Sequence, residues 1–579
     1  MSNQQIRPSQ FITTYGPGSI LETRTGPVVA FSADRVFVDH GLAVQDYEIR
    51  DTRLARDPAV NGGGIVRIPA NAEVPRPESF PLYPTDALPY WCLCVEHRTL
   101  YRVREGCPQC PPQATNRRAR EKAGREAIRF VLACSQGHLD DVAWTYVVHN
   151  GGPCPQWPGW YQWIGGGGSL RSVQIRCPRC GATANFGSAY GRDWRCSERL
   201  PERGAAPPQP ACGAPARIIQ RGAANLRTPV IVSALTIPPL SSRLHNLLQD
   251  SRILAVCSTL RSVGALTEPS FRQALNGIQP PLQASVIQFL GQRPWNEVGP
   301  AIAQVMAAAG GGTRSLKDEE IESLRSAASN GAPPVPAPQL GVPPLFEVRL
   351  SDVRTFAGPA RRLTFRVVPV SRLRMVLVQT GYRRLEPTTG AVVPVSFQSA
   401  GRNWFPGVEL FGEGVYLDLH DADLGLAGAR NDAWAASFRQ AAPADETLHP
   451  VHVWWHSLSH RLLRALSVDS GYSSAAIRER VYLHREPDGS VRGGLLLYTV
   501  QPGGDGTLGG LVGLVPSFGG IIAAALRDVA TCSNDPLCEE TVPDGVNGSS
   551  CYSCLLSSET SCEQRNVHLD RGLLLQNLP

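Results

Sequence analysis

Lysine is almost missing from this chain of 579 residues. Only Lys122 and Lys317 occur, so nearly all of the 56 basic residues are arginine. Arginine suits bidentate contacts with phosphate and stacking on aromatic rings, as nucleic-acid recognition requires. A genome rich in G and C produces the same bias, and we regard that explanation as at least equally good. The basic composition by itself therefore does not indicate a DNA-binding protein.

Long apolar runs are also absent. No stretch of about eighteen consecutive apolar residues occurs, so we expect no membrane span. The N-terminal residues MSNQQIRPSQF lack the charged and apolar regions of a secretory signal peptide. We therefore expect a cytoplasmic protein without membrane association, in which the 16 cysteines bind metal rather than form disulfides.

Common catalytic signatures are missing as well. The chain has no GxxxxGK motif followed by Ser or Thr, no GxSxG elbow and no HExxH motif. His456 and His460 have the i, i+4 spacing of two helical metal ligands, but the glutamate of a zinc protease is absent, which favours ordinary core or surface histidines. The glycine-rich stretch Gly503–Gly510 could cradle a phosphate, yet a tight connection is the better interpretation. We predict no catalytic residue.

Cysteines are concentrated near the C-terminus. Cys551 and Cys554 form a CxxC pair, which presents two thiolates from one tight turn, and distant cysteines can complete a tetrahedral zinc shell. A short terminal segment has little core of its own, so the metal would supply its order. The predicted ligands are Cys538, Cys551, Cys554 and Cys562, with Cys532 as the spare cysteine.

A second concentration of cysteines starts near Cys92. Cys107 and Cys110 form a CPxC knuckle, whose turn directs backbone N–H groups at a thiolate. The other half of this site is Cys94 with His97, which have the same two-residue spacing, and Cys92 is the alternative to His97. The sequence therefore predicts a zinc site formed by Cys94, His97, Cys107 and Cys110.

Further along the chain, a CPxCG knuckle predicts another zinc site. Its predicted ligands are Cys177, Cys180, Cys196 and Cys212. Sites with four protein ligands have no open position, so all three predicted zinc ions are structural rather than catalytic.

The predicted zinc sites also change the net charge. A four-cysteine zinc site carries two net negative charges and a three-cysteine, one-histidine site carries one, which reduces the formal charge of +6 to about +1. A nucleic-acid surface would have to be a local patch.

The segment FVLACSQGHLDDVAW permits two interpretations. Cys134 and His138 are four residues apart, and Asp140 and Asp141 follow them. These residues could form a fourth metal site or an acid–base cluster. A strand, a turn and core packing are the favoured interpretation.

Hydrophobic periodicity and turn signals predict a multidomain α+β protein. Strand patterns dominate both ends of the chain, helical spacing marks the middle region, and a proline-rich segment follows it. The predicted domains are an N-terminal β-rich domain, a double zinc-ribbon region, a helical domain, a proline-rich linker, and a C-terminal α/β domain closed by the cysteine cluster. Their boundaries are 1–87, 88–227, 228–332, 333–345 and 346–579.

Several separate motifs together resemble one known family. They include RPSQFITTYGPGSI, FVLACSQGHLDDVAW, LVQTGYRRL, ELFGEGVYLDL, HSLSHRLLRAL, GGDGTLGGL and the C-terminal cysteine motif, in order from near residue 7 to near residue 572. This pattern resembles the DrmB family of the DISARM bacterial anti-phage systems. The family has a pair of cysteines where this chain has Cys94 and His97, which makes the first zinc site a variant of the family pattern.

The resemblance implies a non-catalytic accessory subunit. It implies a superfamily 2 helicase partner similar to DrmA, a complex that engages DNA, including single-stranded DNA or 5′ overhangs, and restriction of phage DNA. The alternative function is a metal-dependent nuclease, for which the available side chains are Asp140, Asp141, His456, His460 and Asp505.

Overall fold

A computed structural model describes most of the chain in two compact units. The described residues are all except 1–4, 25, 78–79, 111–124, 157, 167, 205–210, 239–242, 249, 280, 283, 310–314, 338–341, 421–422, 442–444, 474, 487–488 and 502–508. Unit 1 contains residues 1–233 and 376–409, and unit 2 contains residues 234–375 and 410–579. The predicted five-domain division stays a prediction. Asp505 and most of the glycine-rich stretch around it lie outside the described residues.

Unit 1 is mainly β-structure with short helices. Its strands are Ile20–Thr23, Gly26–Ala30, Glu48–Ile49, Gly64–Arg67, Thr85–Ala87, Trp91–Cys94, Thr99–Arg102, Arg125–Ala127, Phe130–Cys134, Leu139–Asp141, Trp160–Ile164, Gln174–Arg176, Thr183–Asn185, Asp193–Trp194, Ala216–Gln220, Val393–Pro394 and Phe397–Ser399. Its α-helices of five or more residues are Asp34–His40, Thr52–Arg56, Trp144–Val148 and Phe186–Tyr190.

Two sheets of unit 1 carry the metal-binding residues. A six-stranded sheet has the order Thr183–Asn185, Gln174–Arg176, Trp160–Ile164, Thr99–Arg102, Trp91–Cys94, Arg125–Ala127. A four-stranded sheet has the order Leu139–Asp141, Phe130–Cys134, Ala216–Gln220, Asp193–Trp194. A shared core that includes Trp144, Tyr161 and Phe186 packs between their elements, so burial of aromatic surface fixes the strand ends where the cysteines lie.

Unit 2 combines a helical region with long antiparallel strands. Its helices are Arg243–Leu248, Ser251–Ser262, Glu268–Asn276, Ala284–Gln292, Trp295–Ala309, Leu316–Asn330, Ala429–Gln440, Pro450–Asp469, Phe518–Arg527 and Arg571–Gln576. Its strands include Glu347–Val348, Arg354–Ala357, Ile477–Arg485 and Val491–Gln501. The strands Thr228–Leu235, Thr364–Arg383 and Arg402–Leu419 begin in one unit and end in the other. The helical middle region and the α+β class are as predicted.

The helix Pro450–Asp469 is the centre of unit 2. Pro450 occupies its first turn, where a missing N–H costs nothing, and the His449 side chain accepts a hydrogen bond from the Val451 amide. The helix is buried on all sides along its first half, as expected for a helix within a core rather than on a surface. It packs on the hairpin Ile477–Arg485 and Val491–Gln501 and on the helix Phe518–Arg527. This packing determines where the C-terminal cysteine segment is held.

Among the described residues, no helix has both the length and the apolar character that crossing a bilayer requires.

Candidate metal centres

Cluster A consists of Cys94, His97, Cys107 and Cys110, the four side chains predicted as the first site. Cys94 ends one strand of a hairpin, and His97 lies in the turn before the next strand. The Nδ1 atom of His97 is 3.5 Å from the sulfur of Cys94, 3.4 Å from that of Cys110 and 3.9 Å from that of Cys107. Cys92, the alternative, is buried in the adjoining apolar cluster and is not one of the four converging groups.

Cluster B consists of Cys134, His138, Cys196 and Cys212. The Cys134 sulfur is 3.3 Å from His138 Nδ1, 3.5 Å from the Cys196 sulfur and 4.0 Å from the Cys212 sulfur. Gly137 turns the chain between Cys134 and His138 with φ of 90°, and a Cβ atom there would collide with a methyl group of Val393. The segment FVLACSQGHLDDVAW therefore forms a strand and a turn, as the favoured interpretation has it. It also brings Cys134 and His138 into a cluster that could bind a metal ion.

Cluster C consists of His149, Cys154, Cys177 and Cys180. The sulfurs of Cys154 and Cys177 are 3.8 Å apart, and His149 Nε2 is 3.2 Å from the Cys180 sulfur. The other ring nitrogen of His149 is 2.6 Å from the Thr145 carbonyl oxygen. A carbonyl at this place fixes the hydrogen on Nδ1 and leaves the Nε2 lone pair facing the cluster, as in the outer shell of zinc-bound histidines.

The structure corrects the predicted grouping of Cys177, Cys180, Cys196 and Cys212. Cys177 and Cys180 follow a strand of the six-stranded sheet, and the chain then crosses through the helix Phe186–Tyr190. Cys196 and Cys212 lie beside the adjacent strands Asp193–Trp194 and Ala216–Gln220 of the four-stranded sheet, next to the strand that ends at Cys134. Sheet neighbours, not sequence neighbours, therefore determine the donors in clusters B and C.

Cluster D consists of Cys532, Cys538, Cys551 and Cys554. The sulfur–sulfur distances are 3.4 Å for Cys532 and Cys551, 3.7 Å for Cys538 and Cys554, and 3.6 Å for Cys551 and Cys554. This cluster differs from the predicted C-terminal grouping, because the spare Cys532 is a member and Cys562 is not. The sulfur of Cys562 instead lies 3.2 Å from His456 Nε2, beneath the helix Pro450–Asp469.

The distances within the four clusters fit a tetrahedral metal ion. With Zn–S of ~2.3 Å and Zn–N of ~2.0 Å, tetrahedral geometry places sulfurs ~3.8 Å apart and sulfur ~3.5 Å from nitrogen. The observed sulfur–sulfur distances of 3.4–4.0 Å lie around the first value, and the sulfur–nitrogen distances of 3.2–3.9 Å lie around the second. All of these cysteines are free thiols rather than disulfides.

The pKa values of the thiols also indicate a bound cation. Burial opposes ionisation of Cys94, but hydrogen bonds from His97 lower its pKa to about 7. Burial and the neighbouring Cys107 thiol raise the pKa of Cys110 to about 12. In cluster D, burial likewise opposes ionisation of Cys551, and hydrogen bonds led by that of Cys532 lower its pKa to about 7, whereas burial raises the pKa of Cys554 to about 11. The thiols of one cluster cannot all ionise together unless a divalent ion balances their charge.

Asp140 and Asp141 have structural partners. Asp140 forms an ion pair with Arg199 at 2.7 Å. Asp141 accepts a hydrogen bond of 3.0 Å from the Tyr90 amide, and burial raises its pKa to about 7. These contacts fix the strand Leu139–Asp141 to Arg199 and to the backbone at Tyr90. They account for the presence of the two carboxylates by a structural role, without acid–base catalysis.

Sequence reasoning missed several of the converging side chains. His149 and Cys154 were not predicted as ligands, although Cys154 lies in a CP dipeptide like those of the knuckles. Cys134 and His138 carry the signal of their spacing, and His456 and His460 have the same spacing. Some partners of both pairs lie far along the chain, up to 106 residues away, and only folding brings them close.

Comparisons with known proteins agree with these features. Residues 7–228 match a domain of unknown function, DUF8724, and residues 458–555 match the MrfA Zn-binding domain, a range that contains all four cysteines of cluster D. Together with the converging cysteines, this match identifies structural zinc sites in the chain.

Two individual proteins were also similar. The DISARM protein DrmB of Bacillus paralicheniformis is 27% identical over 514 residues, which cover 82% of this chain and 83% of that protein. The crystal structure of the DUF1998 helicase MrfA bound to DNA matches with 14% identity and a TM-score of 0.21, over 41% of this chain and 26% of that one. The second similarity is too low to relate the two folds. The first similarity, to a DISARM protein DrmB, extends over most of both chains.

Proposed function

We propose that this chain is a non-catalytic, zinc-stabilised accessory subunit of a DISARM-type anti-phage complex in the cytoplasm. In this proposal it binds a superfamily 2 helicase similar to DrmA and helps to hold DNA, including single-stranded DNA. The observation that carries the proposal is the similarity to DrmB over most of both chains. The zinc ligands we propose are the cysteines and histidines of clusters A to D, in four closed sets.

The donor sets favour a structural role for the metal. Each of the clusters A to D offers four protein donors, which leaves no position for a water molecule or a substrate. A closed zinc site fixes the shape of the surrounding loops, and those loops can then present a rigid surface to another macromolecule. Such a surface is what an accessory subunit contributes to an assembly.

An arginine-rich segment around cluster C is the surface we propose for DNA. Exposed arginines recur between residues 171 and 195, where only one acidic residue, Asp193, occurs, and that residue pairs with Arg217. Arg176 and Arg179 each directly precede a knuckle cysteine, so cluster C would hold their backbone in place. Because guanidinium groups contact phosphate without reading bases, this patch would bind DNA regardless of sequence.

The partner proposal is tested by purification. The tagged full chain is isolated from its own host after nuclease treatment, and the bound proteins are identified by mass spectrometry. We expect a helicase in stoichiometric amount. Recovery of the chain alone would contradict the accessory role, because an obligate partner that binds through protein contacts survives removal of DNA.

The DNA proposal is tested on the assembled complex. The double variant Arg176→Glu, Arg179→Glu should weaken binding to single-stranded DNA. It should also reduce the slope of the logarithm of the binding constant against the logarithm of the salt concentration, by about 0.7 for each phosphate that the variant no longer neutralises. Arg50→Glu, at an arginine whose side chain is 90% exposed, is the control for each of the single variants Arg176→Glu and Arg179→Glu, because all three change the net charge equally. Equal effects of the three single changes would show that only the net charge matters and would remove the assignment of this patch.

The alternative of a metal-dependent nuclease is tested on the purified chain alone. Labelled DNA is incubated with the pure chain and Mg²⁺ or Mn²⁺, and we expect no cleavage. The histidines named for that alternative, His456 and His460, have no exposed surface, so DNA cannot reach them in this fold. Cleavage that persists through purification would refute the non-catalytic assignment.

A further inference from the structure

Four buried side chains converge in unit 2, outside the four cysteine clusters. They are His456 and His460 from the helix Pro450–Asp469, Glu479 from the strand Ile477–Arg485, and Cys562 from the C-terminal segment. The two histidines and the glutamate are at most 1% exposed, and Cys562 is 5% exposed. One nitrogen, oxygen or sulfur atom of each lies within 4.8 Å of those of the others. We call this group the His–Glu–Cys cluster.

The distances within the His–Glu–Cys cluster are those of metal donors. His456 Nε2 is 2.8 Å from Glu479 Oε1 and 3.2 Å from the Cys562 sulfur, and His460 Nε2 is 3.3 Å from the same Glu479 oxygen. Tetrahedral zinc with bonds of ~2.0 Å to nitrogen and oxygen separates those donors by ~3.3 Å, and a thiolate lies ~3.5 Å from a nitrogen.

Hydrogen bonds outside the cluster orient its donors inward. His456 Nδ1 lies 3.1 Å from the His568 carbonyl oxygen, and His460 Nδ1 lies 2.8 Å from the Leu555 carbonyl oxygen. A carbonyl can only accept, so both Nδ1 atoms carry the hydrogen. Each Nε2 then faces the cluster, the pattern of histidines held for a metal.

The acidic donors are held in the same way. The Ser459 hydroxyl donates to the outer oxygen of Glu479, and the Asn566 amide donates to the Cys562 sulfur at 3.3 Å. All four donors therefore have an outer contact that fixes their direction. Such outer contacts are common around metal ligands, because they hold the donor in place before the ion binds.

Charge balance in this buried place favours a divalent cation. Without one, a protonated imidazole would have to balance the Glu479 carboxylate, and the lone pair of the second imidazole would still face that carboxylate where no solvent reaches. An unbalanced charge in such a place is costly. A divalent ion with one carboxylate and one thiolate is a neutral unit, and the two neutral imidazoles complete a four-donor shell.

We propose that His456, His460, Glu479 and Cys562 form a further zinc site that fastens the C-terminal segment to the core of unit 2. The mixed nitrogen, oxygen and sulfur donor set suits Zn²⁺, which accepts all three. The set has four protein donors and almost no exposed surface, so the ion is structural. It cross-links a helix, a strand and the segment that carries cluster D.

The position of this site also links it to cluster D. The Leu555 carbonyl that orients His460 belongs to the residue directly after the cluster D ligand Cys554. Arg464, one turn further along the same helix, donates to the carbonyl of Cys554 at 2.6 Å. Loss of the ion at the His–Glu–Cys cluster should therefore loosen cluster D as well, whereas the clusters of unit 1 should be unaffected.

The proposal is tested by counting metal ions in the full-length protein. Zinc is measured by elemental analysis and by native mass spectrometry in wild type and in His456→Gln. His452→Gln is the matched control, since His452 is a buried histidine one turn earlier on the same helix and is outside the cluster. We expect five zinc ions in wild type and in the control. His456→Gln should lose at least one zinc ion, and a second loss would come from cluster D.

Two results would overturn the proposal. One is the same zinc content in His456→Gln and in His452→Gln. The other is a wild-type protein in which clusters A to D account for all bound metal, with four ions and no fifth under zinc-saturating conditions. The wild-type count needs no substitution, so it decides the matter even if His456→Gln does not fold.

Discussion

Cys532 offers the sharpest test of cluster D. Its sulfur lies 3.4 Å from that of Cys551, and its side chain is only partly buried, so Cys532→Ala removes a metal donor with little loss of packing. The surrounding segment from Cys532 to Cys554 contains no helix or strand and has a small apolar cluster centred on Leu555 and Leu569. The bound zinc should therefore supply much of the local stability.

The size of the effect follows from the number of donors. Structural zinc contributes about 10–16 kcal/mol in zinc-finger peptides at neutral pH, and one of four thiolates accounts for about a quarter of that, or about 2.5–4 kcal/mol. A loss of about 2.5–4 kcal/mol raises the equilibrium constant for local opening by about 70–900-fold. The rest of unit 2 has a separate core around the helix Pro450–Asp469, so we expect opening of the segment rather than global unfolding.

Hydrogen exchange and zinc content measure this effect together. In Cys532→Ala, we expect loss of one zinc ion at a lower chelator concentration than in wild type, and faster amide exchange by about 70-fold or more between residues 532 and 556. Cys257→Ala is the control, since Cys257 is buried among helices of unit 2 and is in no metal cluster. The reasoning is refuted if Cys532→Ala retains all of its zinc and its amide protection, as Cys257→Ala should.

Three further predictions concern other parts of the chain. The double variant Cys180→Ala, Cys196→Ala should lose two zinc ions, because the structure assigns these cysteines to clusters C and B; loss of a single ion, by elemental analysis, would restore the grouping predicted from the sequence. Arg480→Ala should lower the free energy of unfolding of unit 2 by about 3–5 kcal/mol, since it leaves the buried carboxylate of Glu320 without its 2.6 Å ion pair; urea denaturation measures this, and a change below about 1 kcal/mol would contradict it. The hydrogen bond to Asp318 raises the pKa of His484, so its stabilisation is complete below the unfolded-state pKa of about 6.5 and is lost as the pH rises through the higher folded-state pKa. Melting curves should therefore show a greater effect of His484→Gln at pH 6 than at pH 8, and an equal effect at both would refute the assignment.

Local spacing was a good guide where two donors belong to one turn. The pairs Cys107 with Cys110, Cys177 with Cys180 and Cys551 with Cys554 each lie within a single cluster, and so does Cys94 with His97. A turn of four residues has few conformations, and two thiolates at its ends can reach one ion in most of them. Predictions of this kind depend on nothing beyond the turn itself.

The sequence spacing could not predict which pairs of donors combine into one metal site. Cys196 is close in sequence to Cys180, yet its sulfur lies 3.5 Å from that of Cys134, which is 62 residues away. Cys562 is eight residues from Cys554, yet its sulfur lies 3.2 Å from His456 on a helix more than a hundred residues earlier. In both cases the neighbouring element in the sheet or core determines the partner.

The sequence by itself determined the α+β class, the helical middle region, the metal-binding character of the cysteines and the likeness to one family. These features depend on residue types, local periodicity and the geometry of short turns. Only the tertiary structure decided which half-sites meet, and that Glu479, which no motif marked, lies against His456, His460 and Cys562. The physical reason is that a tetrahedral site needs four donors within ~4 Å, and the free energy that brings distant donors together comes from burial of the cores around them.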